Sequence, residues 1–268
     1  MKKTNDFTEG SILPKLLGFA FPVLLALFLQ AMYGAVDLLV VGQFSSAAAV
    51  SAVSTGSQIM QSVTTVITGI AMGITVLVGQ KIGEKRPQEA GTIIGSGIAM
   101  FAVISVILTV LMTFGSGALS AIMQAPEEAF AETTAYIQIC SAGAAFIIAY
   151  NVLGSVFRGI GDSKMPLLTV AIACAINIAG DLLFVAGFHW DAAGAAAATV
   201  LAQAVSVLLS ILIIRKRALP FTMKRSDIRL DLPIIGKILK LGCPIALQDF
   251  LVSISFLVII AIVNGMGV

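Results

Sequence analysis

The sequence predicts an all-α polytopic membrane protein, with a six-helix transmembrane lobe followed by a seventh helix that begins a second, pseudo-symmetric lobe. The chain has 268 residues, of which 58% are hydrophobic and 11% are charged. A soluble domain carries about 25% charged residues, so this chain has too few polar side chains to cover a water-facing surface. Its apolar residues form long runs, and its basic residues flank alternate runs.

Seven apolar runs are long enough to cross a membrane, because a spanning helix needs about 20 predominantly apolar residues. Lys2 and Lys3 precede the first run as they would in a signal peptide. That run is longer than a signal-peptide h-region of roughly 7–15 residues, so we interpret it as a membrane span. In chain order the seven runs are segments 1 to 7: 15–41, 50–80, 91–114, 129–157, 165–187, 193–214 and 238–263.

The 16 Lys and Arg residues predict the orientation of the chain. They lie before segment 1, in the connections after segments 2, 4 and 6, or at the very start of segments 1 and 7, as Lys15 and Lys240 do, whereas the connections after segments 1, 3 and 5 contain none. The positive-inside rule therefore places the N-terminus and the basic connections in the cytoplasm. We expect a multi-pass protein of the cell (plasma) membrane, surrounded by membrane lipid.

The polar stretch 215–237 divides the chain. It predicts an N-terminal six-helix transmembrane lobe over 1–214, a cytoplasmic basic linker over 215–237, and the first helix of a truncated C-terminal lobe over 238–268. Segments 1 and 7 begin similarly, with "KLLGFAFPVLLALFLQ" and "KILKLGCPIALQDFLV". Both contain an internal proline, Pro22 or Pro244, which is costly within a helix and bends it. The similarity predicts a second lobe that is mostly missing from this chain.

Three aspartates inside the apolar segments are the main functional candidates: Asp37, Asp181 and Asp249. A carboxylate at mid-membrane costs about 2.5–3.5 kcal/mol on insertion scales and normally faces a cavity or a partner. Asp37 and Asp181 lie late in segments 1 and 5, which cross in the same direction, so we expect them at one depth. Asn177 shares a helix face with Asp181 at i, i+4, and Thr199 early in segment 6 lies at a similar depth.

These oxygen-bearing side chains leave two chemistries open. They suit a hard cation such as Na⁺, or a carboxyl group that takes up and releases a proton. Alternatively, each Asp bonds a backbone group or caps a kink, and Thr199 bonds its own helix. Asp249, five residues after Pro244, is a third coupling group, a residue of an inter-lobe cavity, or a local structural group.

The sequence gives little support for a metalloprotein, an enzyme or a nucleic-acid-binding protein. The three cysteines are isolated and form no CxxC, and the lone His189 excludes a multi-histidine metal site. With neither a P-loop nor a nucleophile–base pair, we expect no enzyme, no cofactor beyond a coupling ion and no nucleic-acid partner.

Several stretches together resemble the MATE (multidrug and toxic compound extrusion) family. "NIAGDLLF" followed by "GAAAATVLAQ" resembles the family's helices 5 and 6, and "LGCPIALQ" resembles the opening of its second lobe. The remaining similar stretches are "FPVLLALFLQAMYGAVDLLVVG", with its proline and late Asp, "GQKIGEKRPQEA" and "FRGIGDSKMP". The sequence departs from the family at Asp249, where a polar uncharged residue is usual.

The resemblance implies twelve helices in two lobes, with export of small amphiphilic drugs driven by inward flow of Na⁺ or H⁺. Its cation site corresponds to Asp37, Asn177, Asp181 and Thr199, with Tyr136 close by. Neutralising this site would favour bending of segment 1 near Pro22.

Two alternatives remain at this stage. One is a lipid-linked saccharide flippase of the same superfamily, which is expected to have cations in its cavity. Because no Lys or Arg falls within a segment core, the sequence favours cationic or neutral drugs instead. The other is an inactive truncation or a structural membrane subunit, because alternating access requires two lobes.

Overall fold

The computed structural model of the chain describes residues 10–216, 219, 221 and 223–265, with residue 225 and residues 256–265 described by their backbone alone. Within these ranges the secondary structure is helical, which confirms the predicted all-α class. Lys2, Lys3, Arg217 and residues 266–268, which contributed to the predicted orientation and domain division, lie outside the described residues. The α-helices are α1 (Ile12–Phe44), α2 (Ala47–Gly83), α3 (Pro87–Ile122), α4 (Glu127–Ala142), α5 (Ala144–Gly159), α6 (Lys164–Asp181), α7 (Asp191–Lys216) and α8 (Leu232–Gly265).

Six of the described helices are long and apolar enough to cross a membrane, namely α1, α2, α3, α6 with its extension, α7 and α8. They extend past the predicted segments. The 37-residue α2 would be about 55 Å long, more than a hydrocarbon core of about 30 Å requires. The side chain of Ser46 accepts a hydrogen bond from the amide of Ala49 and caps the start of α2.

Segment 4 was predicted as one span but is broken at Gly143. Helices α4 and α5 meet there at 57° and together have the composition of a seventh, bent span. A Cβ at Gly143 would lie 2.4 Å from a methyl group of Val200, so α7 crosses directly against this backbone. Glycine permits both the close crossing and the bend.

Helix α6 ends in a wider turn. The chain continues after Asp181 as a π-helix over Leu182–Gly187, and α7 then begins at Asp191. At this junction Trp190 stacks on Phe184 with ring centroids 5.4 Å apart. Short π-helical turns are frequently found at functional sites.

The helices pack around α2, which contacts α3, α4, α5 and α8, while α6 lies between α1 and α7. Buried apolar side chains form two clusters. One includes Val41, Val53 and Ile137, and the other includes Ile74 and Ile238. The second cluster lies at what we call the basic end of the bundle, the end that carries the loops at 84–86 and 160–163.

Helix α8 begins at Leu232, so the last residues of the predicted linker are helical. The helix is continuous through Pro244, as α1 is through Pro22. Near the basic end, the backbones of α2 and α8 touch at three glycines, Gly69, Gly73 and Gly242. The preceding 3₁₀ turn, Arg225–Asp227, rests on α3 at Gly95.

Candidate functional site

Three helices bring four of the predicted residues into one buried polar cluster. Asp37 comes from α1, Asn177 and Asp181 from α6, and Thr199 from α7. The Nδ2 of Asn177 lies 3.5 Å from Oδ1 of Asp37 and 3.3 Å from Oγ1 of Thr199, and it donates to both. Asn177 therefore links the side chains of the two helices that flank α6. We call these four residues the polar cluster.

The local sequence explains how these side chains meet. Asn177 and Asp181 are one helical turn apart, so both project from one face of α6. A Cβ at Gly180 would lie 2.9 Å from that of Ala198, so α6 and α7 approach closely at this level. The close approach brings Thr199 within reach of Asn177.

The polar cluster has more acceptors than donors. Asp181 is fully buried, and neither of its carboxyl oxygens has a hydrogen-bond partner among the described residues. The Oδ1 of Asn177 is also unpartnered. The carboxyl groups of Asp37 and Asp181 lie side by side. In the described part of the chain, no Lys, Arg or His forms an ion pair with either of them.

An unpartnered buried polar group costs about 1–3 kcal/mol, and more if it is charged. A cation in the polar cluster would remove that cost by meeting oxygens that no protein donor meets. Carboxylate, amide and hydroxyl oxygens are ligands for hard cations, and a proton would equally neutralise one of the carboxyl groups. The oxygen atoms of the polar cluster therefore fit a hard cation, and a proton could take its place.

The polar cluster forms part of the wall of a large cavity. This cavity has a volume of about 860 Å³ and is lined by residues of α1, α2, α4, α5, α6, α7 and α8. Asp37, Asn177 and Thr199 face it, whereas Asp181 lies behind them. A ligand in the cavity would consequently lie next to the polar cluster.

The two additional predicted residues line the same cavity, although no described hydrogen bond joins either to the polar cluster. Tyr136 is buried, and its ring lies against Gly56 of α2, where a Cβ would be 2.5 Å from it. Asp249 lines the cavity from α8 and is half-buried. Pro22, the predicted kink of α1, is buried within a continuous helix, and the bend itself stays a prediction.

The sequence did not identify most of the cavity's polar lining. Gln30 and Tyr33 line it from α1, and Thr68 donates to Asn151 across the α2–α5 contact at 3.2 Å. A signal for the first two was present, because Gln30, Tyr33 and Asp37 are spaced by three and four residues and so share a helix face.

Arg158 is a correction to the predicted charge distribution. The sequence places it with the loop residues after segment 4, outside the segment cores, and the lack of basic residues in those cores favoured cationic or neutral drugs over lipid-linked saccharides. The structure instead places Arg158 in the last turn of α5, where it lines the cavity. The lack of basic residues in the segment cores therefore did not mean that the cavity wall lacks a cation.

The chain is similar to curated proteins whose names describe multidrug resistance or export. The chain is 29% identical over 266 residues to "Probable multidrug resistance protein YpnP" of Bacillus subtilis, covering 99% of this chain and 59% of that protein. It is 22% identical to "Multidrug export protein MepA" of Staphylococcus saprophyticus, covering 97% of this chain and 58% of that protein. The chain thus spans about three-fifths of the length of these relatives.

The fold also matches solved structures. A transporter of the MOP superfamily from Pyrococcus furiosus superposes with a TM-score of 0.88 at 22% identity, covering 96% of this chain and 57% of that one. Residues 22–183, which include Asp37, Asn177 and Asp181, match the MatE family. The chain therefore belongs to the MatE family of membrane transporters.

Proposed function

We propose that the protein is a secondary active antiporter that exports cationic or neutral amphiphilic drugs in exchange for Na⁺ or H⁺. Membership of the MatE family and the names of the relatives, which describe multidrug resistance and multidrug export, support this proposal. Because the chain spans only part of those relatives, the activity is proposed for the intact protein. Residues of this chain would supply the cation site and one wall of the drug cavity.

The observation that carries the proposal is the unpartnered carboxyl group of Asp181 beside Asp37, behind the wall of an 860 Å³ cavity. A site that lacks a positive partner binds a cation favourably. Asp37 both joins the polar cluster and faces the cavity, so cation binding changes the charge that a drug meets. Asp37 would therefore contact both the cation and the drug, so that binding of one could affect binding of the other.

Coupling requires that the cation and the drug favour different states of the protein, since a ligand shifts an equilibrium only by its differential affinity. We propose that cation binding releases α1 from α6 by replacing the contact between Asn177 and Asp37. The released helix would bend near Pro22, where the proline removes a backbone hydrogen bond. Bending would reshape the cavity wall that Gln30, Tyr33 and Asp37 provide.

The test is drug efflux by cells that express the intact protein, with ethidium as the fluorescent cation. Asp37→Asn and Asp181→Asn are expected to reduce efflux to the level of cells without the protein and to remove its dependence on Na⁺ or pH. Glu128→Gln is a matched control, because this exposed carboxylate lies in the first turn of α4, outside the cavity. Unchanged efflux and ion dependence in the Asp37→Asn variant would contradict the proposed coupling.

Arg158 in the cavity wall favours the flippase as a second candidate, because a guanidinium can bind the phosphate of a lipid-linked saccharide. The same experiment separates the two functions. Ion-dependent ethidium efflux supports the drug antiporter, whereas a flippase would give none and would move a fluorescent lipid-linked saccharide across proteoliposomes.

A further inference from the structure

The cavity has a positively charged side chain at the basic end, opposite the polar cluster. Arg158 lies in the last turn of α5 and lines the cavity. Ile147 lines it eleven residues earlier on the same helix, and a helix rises about 1.5 Å per residue. The Cα of Arg158 therefore lies about 16 Å along the axis of α5 from that of Ile147. Ile147 belongs to the same apolar cluster as Val41, which is one helical turn from Asp37.

Arg158 is not needed to complete the end of its helix. A basic residue in a last turn often bonds the free carbonyls there. In this loop those carbonyls already accept backbone amides. The carbonyl of Val156 accepts the amide of Ile160, that of Phe157 accepts Asp162, and that of Arg158 accepts Gly161. Gly161 adopts a φ of 79°, the left-handed conformation that closes such a helix end.

Most of the hydrogen-bonding capacity of Arg158 is unused. A guanidinium has five N–H donors, and within the described part of the chain this one makes a single hydrogen bond, from Nη2 to Oγ of Ser155 at 3.0 Å. Its Nε is buried and has no hydrogen-bond partner among those same residues. No carboxylate forms an ion pair with Arg158 among residues 10–216, 219, 221 and 223–265. A partly buried, unpaired charge is costly, and an anion from outside the protein would compensate it.

We propose that Arg158 is an anion subsite of the drug cavity and binds the carboxylate or a similar anionic group of an amphiphilic substrate. The cavity then has opposite charges at its two ends, with Asp37 at one and Arg158 at the other. A zwitterionic amphiphile would then lie with its cationic group toward Asp37 and its anionic group at Arg158. This inference rests on the proposed drug-binding function and adds to it the residue that receives an anionic group.

Two dyes that differ by one methyl group test the subsite. Rhodamine 110 carries a free carboxylate, and rhodamine 123 is its methyl ester. Binding of each to the purified intact protein is measured by fluorescence anisotropy. Arg158→Gln is expected to weaken rhodamine 110 binding at least about tenfold, as for loss of a charge-assisted hydrogen bond, and to change rhodamine 123 binding less than about twofold.

Two further variants separate the role of the charge on Arg158 from general effects on the protein. Arg158→Lys keeps the charge but loses the planar fork, so we expect a smaller loss, about threefold, again selective for rhodamine 110. If Arg158→Gln does not fold, the comparison of the two dyes is made with Arg158→Lys instead. Arg86→Gln is the matched control, because Arg86 pairs with Glu89 on the surface outside the cavity, and both dyes should bind it as they bind the unmodified protein.

The outcomes distinguish the subsite from the wider function. Equal losses for both dyes, or no loss for either, would overturn the anion subsite while leaving drug binding in place. If the unmodified protein binds neither dye, the drug-binding function fails, and the subsite fails with it.

Discussion

The contact between α2 and α8 supports a quantitative prediction about Gly73. A Cβ placed on this residue would lie 2.2 Å from the carbonyl oxygen of Ile238 and 3.2 Å from the backbone nitrogen of Gly242. Both are backbone atoms of α8, so no side-chain rotation relieves the overlap. Ordinary contact begins at 3.4 Å, so Gly73→Ala requires the two helices to separate locally by about 1.2 Å.

The energetic cost follows from this displacement. Overpacking in a well-packed interior costs about 1–3 kcal/mol. Replacing glycine by alanine also favours the helix itself by about 1 kcal/mol, which offsets part of that cost. Gly115 of α3 provides a matched control, because a Cβ there meets nothing within 4 Å while the gain in helix propensity is the same. The difference between Gly73→Ala and Gly115→Ala isolates the steric cost.

The measurement is thermal unfolding of the purified intact protein in detergent, followed by circular dichroism. A protein of about 150–250 residues loses about 2–4 °C in Tm for each kcal/mol, and a longer protein loses less. Gly73→Ala is therefore expected to unfold below Gly115→Ala by up to about 12 °C. Equal midpoints for the two variants would refute the backbone contact between α2 and α8, because the alanine methyl group would then have found room.

Two other predictions concern the polar cluster and the cavity wall. Saturating Na⁺, or a lower pH if protons are the coupling ion, should stabilise the protein by about 2.7 kcal/mol at a hundred times the dissociation constant, roughly 5–10 °C in Tm. Asp181→Asn should abolish this shift, and a variant that keeps it would exclude Asp181 from the cation site. Gly56→Ala should push the ring of Tyr136 out of its position, because a Cβ would lie 2.5 Å from it. Rhodamine 123 binding should weaken several-fold, and an unchanged affinity would place Tyr136 outside the drug contacts.

The polar cluster was predictable because each of its aspartates can be recognised from the local sequence alone. An aspartate in an apolar run is expensive in a membrane, so Asp37 and Asp181 stand out without any structure. The spacing of Asn177 and Asp181 placed both residues on one helix face. Because segments 1 and 5 cross the membrane in the same direction, Asp37 was expected at the same membrane depth as these two residues. What remained open was whether those segments are neighbours, which the packing of α6 against α1 and α7 answers.

Arg158 shows where sequence reasoning failed. A basic residue next to an apolar run normally extends to the membrane surface, and the spacing of the basic residues placed Arg158 there. Its actual position depends on α5 ending beside the cavity and on Ser155 holding the guanidinium. The break at Gly143 was missed for a similar reason, since the close crossing of Val200 of α7 at this glycine is a contact between distant parts of the chain.

By itself, the sequence determined that this chain is a bundle of apolar helices. It also determined which side chains are too polar to lie in such helices unless they have a partner or face a cavity. Both properties depend on the transfer of single residues between water and lipid, which each residue type sets locally. Only the tertiary structure decided that no donor among the described residues reaches Asp181 and that Arg158 faces the cavity. It also decided that α2 and α8 meet backbone to backbone at Gly73. These features depend on which helices are neighbours and how closely they approach, and that is settled by packing between residues far apart in the chain.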